Sequence, residues 1–154
     1  MEVFIEDVQP GTCDSNDPND IPFDYWIKII LKNGKKIQVL DDFYNLTEFI
    51  GYKAYFVIYA KESLEYSKKT IFTISGEYIS NYKFSKKKQE MFVFSDSDTP
   101  TREQYFQNLS DGIPALETEN GIFLVSENSS YKDGEKINYN VLGFFLHLWY
   151  PIEE

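Results

Sequence analysis

The Asn-Gly dipeptide at positions 33 and 34 lies between two apolar runs, in the stretch IKIILKNGKKIQV (residues 27–39), and constrains the fold more than any other feature. Asn-Gly between alternating hydrophobic residues is a strong hairpin signal, because both residues tolerate positive φ. A two-residue loop would oppose Ile30 to Ile37 and Ile29 to Gln38, and each face would then mix apolar and polar side chains. A three-residue loop, Lys32-Asn33-Gly34, gives Gly34 the left-handed position and opposes Ile29 to Ile37 and Ile27 to Val39. Apolar side chains then gather on one face, and a one-residue slip would undo that. The predicted buried face is Ile27, Ile29, Leu31, Ile37 and Val39. The predicted outer face is Trp26, Lys28, Ile30, Lys36, Gln38 and Leu40.

The rest of the chain reads mostly as strands. Glu2–Val8 alternates, a polar loop spans Gln9–Asp20, and Tyr52–Ala60 is apolar enough for a central strand. Asn45 is expected to cap a short helix, with Glu48 reaching back and Gly51 stopping it. Lys61–Lys69 is polar and expected as a loop. Gly76 is expected at the turn of a second hairpin, and KFSKKKQE (residues 83–90) breaks the strand pattern before MFVF (residues 91–94) resumes it. Pro100 opens a helix that carries Leu109 and stops near Gly112. A hairpin surrounds Asn120-Gly121, and a long final strand runs from about Ile137 to Tyr150, with a possible break at Gly143. No fixed sequence period recurs. The expectation is a single mainly-β domain over residues 1–154, with two short helices. It would form a small curved sheet or a partly open barrel resembling the OB type.

Composition supports that class. Aromatic residues make up 18% of the chain and there are 15 Ile, both favoured in strands. A chain of 154 residues buries roughly 70% of its unfolded surface, enough to fold without metal or disulfide. Its one cysteine, Cys13, excludes an internal disulfide framework and a cysteine-rich zinc site. The start carries no secretory pattern, and the longest apolar stretch, Val141–Tyr150, is too short to span a bilayer as a helix. A cytoplasmic protein is expected.

Catalytic patterns are mostly missing. His147 is the only histidine, and alternation places it on a face with Phe145 and Trp149, as a strand residue rather than a base. Nothing ties Cys13 to it. Phosphate-binding glycine motifs are absent. Asp14, Asn16, Asp17, Asn19 and Asp20 resemble a calcium loop in composition, but Pro18 occupies a ligand position, and the glycine and terminal glutamate are missing. Asp96 and Asp98 precede the expected helix start, where capping accounts for them. No catalytic residue, metal or cofactor is expected.

Charge points to binding instead. The net charge is −10, and residues 1–26 hold seven acids and no base. An acidic face attracts basic partners and repels nucleic acid. In size and charge the chain resembles immunity proteins and small phage inhibitors, which implies steric blocking of a basic protein. Asp14, Asp17, Asp20 and Asp24 would then steer association. The alternative is a module binding single-stranded nucleic acid or oligosaccharide through Tyr78, Tyr82, Lys83, Lys86, Lys87 and Lys88, its tyrosines stacking on the ligand. The acids on either side of that lysine run argue against nucleic acid.

Overall fold

The computed structural model describes residues 1–12, 22–63, 72–93 and 107–153. Its strands are β1 (Glu2–Pro10), β2 (Tyr25–Ile30), β3 (Lys36–Asp41), β4 (Lys53–Glu62), β5 (Phe72–Tyr82), β6 (Ile113–Thr118), β7 (Gly121–Leu124) and β8 (Lys136–Pro151). Helix α1 (Lys86–Met91) follows β5, residues 107–111 are helical, and a 3-10 turn, Thr47–Phe49, links β3 to β4. The chain is mainly β, as its alternation requires.

The first hairpin adopts the three-residue loop. Ile29 pairs with Ile37 and Ile27 with Val39. Leu31 N donates to Lys35 O at 2.8 Å, Gly34 N donates to Leu31 O at 2.9 Å, and Gly34 has φ +87°. All five expected inner residues are buried.

The eight strands form one sheet that closes on itself. The antiparallel meander β1-β2-β3 meets β8 in parallel at Leu40 and Phe145. Strand β8 pairs antiparallel with β4, and β4 returns to β1. These five strands make a ring with the strand count of an OB-like barrel. A second ring repeats the plan. The meander β5-β6-β7 meets β4 in parallel at Ile58 and Phe123, β4 pairs with β8, and β8 returns to β5. Thus β1–β4 and β5–β8 are two four-strand units of the same order, each ring completed by the last strand of the other unit. The β4–β8 ribbon belongs to both.

The hairpins β2–β3 and β6–β7 occupy equivalent places, and both carry Asn-Gly. Their tips touch. Asn33 N donates to Asn120 Oδ1 at 2.9 Å, and Asn33 Nδ2 donates to Glu119 Oε1 at 2.7 Å. Unequal connections hide the repeat from the sequence: residues 11–24 join β1 to β2, whereas residues 83–112 join β5 to β6.

Alternation sorts the core. Ala54, Phe56, Ile58 and Ala60 of β4 join one buried cluster with Ile5, Ile27, Ile29 and Val39 and with Tyr78, Leu116, Phe123 and Phe144 of the second unit. Val57, on the opposite face, joins a smaller cluster with Ala115, Leu124, Leu148 and Tyr150, covered by Phe84, Phe92 and Leu109.

Several local expectations are corrected. Gly76 makes no turn, because β5 runs through it. A Cβ there would lie 2.2 Å from Glu117 O, so this glycine admits the neighbouring strand. Asn45 is not a helix cap. It sits at φ +56° and its Oδ1 accepts from Thr47 N at 3.3 Å, while Leu46 precedes the 3-10 turn without a side-chain cap. The expected loop at Lys61–Lys69 begins later, since β4 extends to Glu62. Residues 86–91 are helical, with Ser85 as the cap, so the strand pattern does not resume at Met91. Strand β8 does not end at Gly143, but its ladder with β4 slips by one residue beside that glycine, between the Lys61–Gly143 and Glu62–Val141 pairs. Gly51 and Gly112, at φ +92° and +111°, do occupy left-handed positions as helix-stop glycines.

Candidate functional site

The outer face of the first ring carries a row of aromatic and apolar side chains. Cross-strand partners project to the same side of a sheet. Trp26 pairs with Leu40, Leu40 with Phe145, and Phe145 with Tyr59, so one row crosses β2, β3, β8 and β4. Trp26 is 42% exposed, and Leu40, Phe145 and Tyr59 are half-buried. Tyr59 lies 6.5 Å from Phe145, ring to ring, and its hydroxyl shares a hydrogen bond with Ser126 Oγ. The next row is Asp7, Lys28 and Gln38.

A β-bulge sets the far end of the row. The β4–β8 register slips between the Val57–Leu148 and Ile58–Leu146 pairs, leaving His147 as the extra residue. The bulge reverses the alternation, so Trp149 turns into the core instead of sharing a face with His147. His147 stacks on Tyr59 at 5.4 Å, and its backbone oxygen accepts from the Tyr44 hydroxyl at 2.9 Å. Burial lowers the imidazole pKa to about 4, so the ring is neutral near pH 7.

At the open end of the β2–β3 hairpin, Phe23 and Phe43 are 64% and 63% exposed. They flank the Tyr25–Asp41 pair. Asp41 is fully buried and organises this end. Its carboxylate accepts from the backbone N–H groups of Phe43, Tyr44 and Asn45, each at 2.9 Å. Burial pushes its pKa upward, and the three donors pull against that shift. The resulting bend holds Phe43 outward beside the exposed Asp42.

Of the four expected partner-binding acids, Asp24 is among the described residues and lies at this end of the hairpin. Asp24 closes the base of the 11–24 connection: its Oδ1 accepts from Thr12 N at 2.5 Å, and its backbone oxygen accepts from Gly11 N at 2.9 Å. Asp14, Asp17 and Asp20 lie outside the described residues, as do Cys13, Asp96 and Asp98.

The lysine-run candidates divide. Tyr78 is 2% exposed and packs in the core at 5.4 Å from Tyr131, so it offers no ring for stacking. Tyr82 is half-buried, edge-on to Phe84 at 5.1 Å. Lys88 lies over the Tyr55 ring at 3.8 Å and the Tyr150 ring at 5.5 Å, and those two rings are stacked 5.0 Å apart. Lys83, Lys86 and Lys87 are exposed. The sequence leaves this basic stretch beside aromatic residues, but only the pairing of strands reveals which rings are free.

Among the described residues, no group of three or more His, Cys, Asp or Glu could hold a metal ion. No helix among them is long and apolar enough to cross a membrane. The hairpin register foretells Trp26 and Leu40 on the outer face. Phe145 and Tyr59 join them through the β3–β8 and β8–β4 pairings, which carry no local sequence signal. No protein-family model, curated protein or solved structure matches this chain.

Proposed function

We propose that this protein is a non-enzymatic, inhibitor-type binding protein that docks a basic protein partner through the acidic end of the β2–β3 hairpin, in the manner of immunity proteins. The observation that carries the reading is the exposure of Phe23, Trp26 and Phe43, at 64%, 42% and 63%, beside Asp24 and Asp42. Aromatic side chains dominate the energetic centres of protein interfaces, and surrounding charges set partner choice and encounter rate. The chain segment feeding this end, residues 1–26, holds seven acids and no base. Steric blocking needs only contact area and complementary charge.

The test uses the basic protein recovered with this chain from its native host. Replacing Asp14, Asp17, Asp20 and Asp24 together by Asn should slow association about tenfold at low salt. Phe43→Ala should instead speed dissociation. An association rate indifferent to ionic strength, together with unchanged dissociation of the Phe43 variant, would overturn the reading.

A second reading rests on Trp26 and Lys28, which sit on the strand 2–3 face that OB-like barrels use for oligonucleotides and oligosaccharides. Titration with a thymidine oligonucleotide separates the two. Salt-sensitive binding that is lost on replacing Trp26 and Lys28 by Ala would favour it.

A further inference from the structure

The chain carries Asn-Gly twice, at 33–34 and at 120–121, and the fold sets both at hairpin tips that touch. Asn-Gly is chemically labile for the reason that suits it to turns. Glycine has no Cβ, so its backbone nitrogen can approach the preceding side chain. That nitrogen attacks the Asn Cγ and closes a five-membered imide. Its proton passes through solvent to the side-chain nitrogen, which leaves as ammonia. Water then opens the imide at either carbonyl carbon, giving aspartate or isoaspartate. Water is the one co-reactant.

The two pairs are not equally open. Asn33 is exposed, and the space where a Cβ on Gly34 would stand is empty to 4 Å. Its side-chain carbonyl is already polarised. Asn33 Oδ1 accepts from Lys35 N at 3.0 Å, and this is the oxygen on which negative charge gathers as the nitrogen adds. Gly34 N donates to Leu31 O at 2.9 Å, so this bond must open before attack, and the folded chain reacts more slowly than the unfolded one. Asn120 is more confined. It is half-buried, its Oδ1 accepts from Asn33 N at 2.9 Å, and Gly121 belongs to β7, paired with Thr118. A Cβ on Gly121 would lie 2.7 Å from the Met1 Cβ. Turning Asn120 onto the Gly121 nitrogen disturbs a packed strand end, whereas the same turn at Asn33 moves an exposed loop.

We propose that Asn33 is a self-modifying site, deamidated in the folded protein while Asn120 is spared, and that the product loosens the seam between the two units. Asn33 Nδ2 donates to Glu119 Oε1 at 2.7 Å. In the product that donor is gone and a carboxylate stands in its place, facing a second carboxylate across the seam. Like charges so close repel. Of the two lysines beside Asn33, Lys35 is engaged over the Phe72 ring at 5.7 Å. Isoaspartate also lengthens the loop backbone by one carbon, against the register that the Leu31 and Gly34 amides hold.

The test incubates the full chain at about pH 8 in oxygen-18 water, because hydrolysis of the imide marks the product with a solvent oxygen. Chymotryptic peptides separate Asn33 from Asn120, and mass spectrometry follows the label at each. In urea both positions should take it up at similar rates. In the folded chain Asn33 should be labelled about fivefold faster than Asn120, or more. Equal or reversed rates, or no label at Asn33 in the folded chain while the urea-treated chain is labelled, would overturn the site. The consequence is read separately by hydrogen exchange of the position-33 amide, which donates to Asn120 Oδ1. Asn33→Asp should speed that exchange about fivefold, and adding Glu119→Gln should restore most of the protection. Unchanged exchange in Asn33→Asp, or no recovery with Glu119→Gln, would overturn the loosening of the seam by like charge.

Discussion

His147 shows how one residue links sheet irregularity to solution behaviour. As the extra residue of the β8 bulge it stacks on Tyr59, where burial lowers its pKa to about 4. The unfolded chain takes up this proton near pH 6.5, but the folded chain does not until about pH 4. The unfolded state therefore binds more protons across that window, and stability falls as the pH drops through it. The full shift corresponds to about 3 kcal/mol, and the ring's partial exposure trims this to about 2 kcal/mol. Urea unfolding near pH 7 and near pH 4.5 should show the loss, and His147→Gln should shrink it. An equal loss in both proteins would assign the pH response to other groups. The residue's identity as the lone histidine is plain in the letters. Its bulge is not, because a bulge depends on which strand lies alongside, and here that strand is β4. Asp41 teaches the same lesson, since its three backbone partners exist only once the chain bends after β3.

Elements were legible where local physics decides them. The β2–β3 register follows from two local facts, the left-handed glycine and the period of two, and every expected inner residue is buried. Gly76 marks the limit. In isolation a glycine between apolar runs suggests a turn, but here it makes room for Glu117 O on the adjoining strand. The contact between the hairpin tips also lies beyond local reasoning, yet it is measurable. A double-mutant cycle of Asn33→Ala and Glu119→Ala should return a coupling of about 0.5–1 kcal/mol for their hydrogen bond. A coupling near zero would mean that the tips do not meet in solution.

For the whole molecule, the shared β4–β8 ribbon is the mechanical centre. Opening the first unit leaves β5–β7 still paired to it, and opening the second leaves β1–β3. The ribbon should come apart only in global unfolding. Native-state hydrogen exchange should therefore find the slowest amides in β4 and β8, with those of the β2–β3 hairpin exchanging faster. Slower exchange in the hairpin would contradict this hierarchy. The mainly-β class was legible from alternation and aromatic content. The mutual completion of the two units was not, because it depends on pairings between opposite ends of the chain. The closure of the sheet carries one more consequence. Among the described residues every strand has a neighbour on each flank, so the sheet presents no full-length free border for another polypeptide to extend. A visitor could borrow main-chain amides only where a ladder lapses, as along β3 away from its single bridge to β8 at Leu40. The same closure leaves copies of this aromatic-rich chain short stretches, and no whole strand, on which to stack into fibrils.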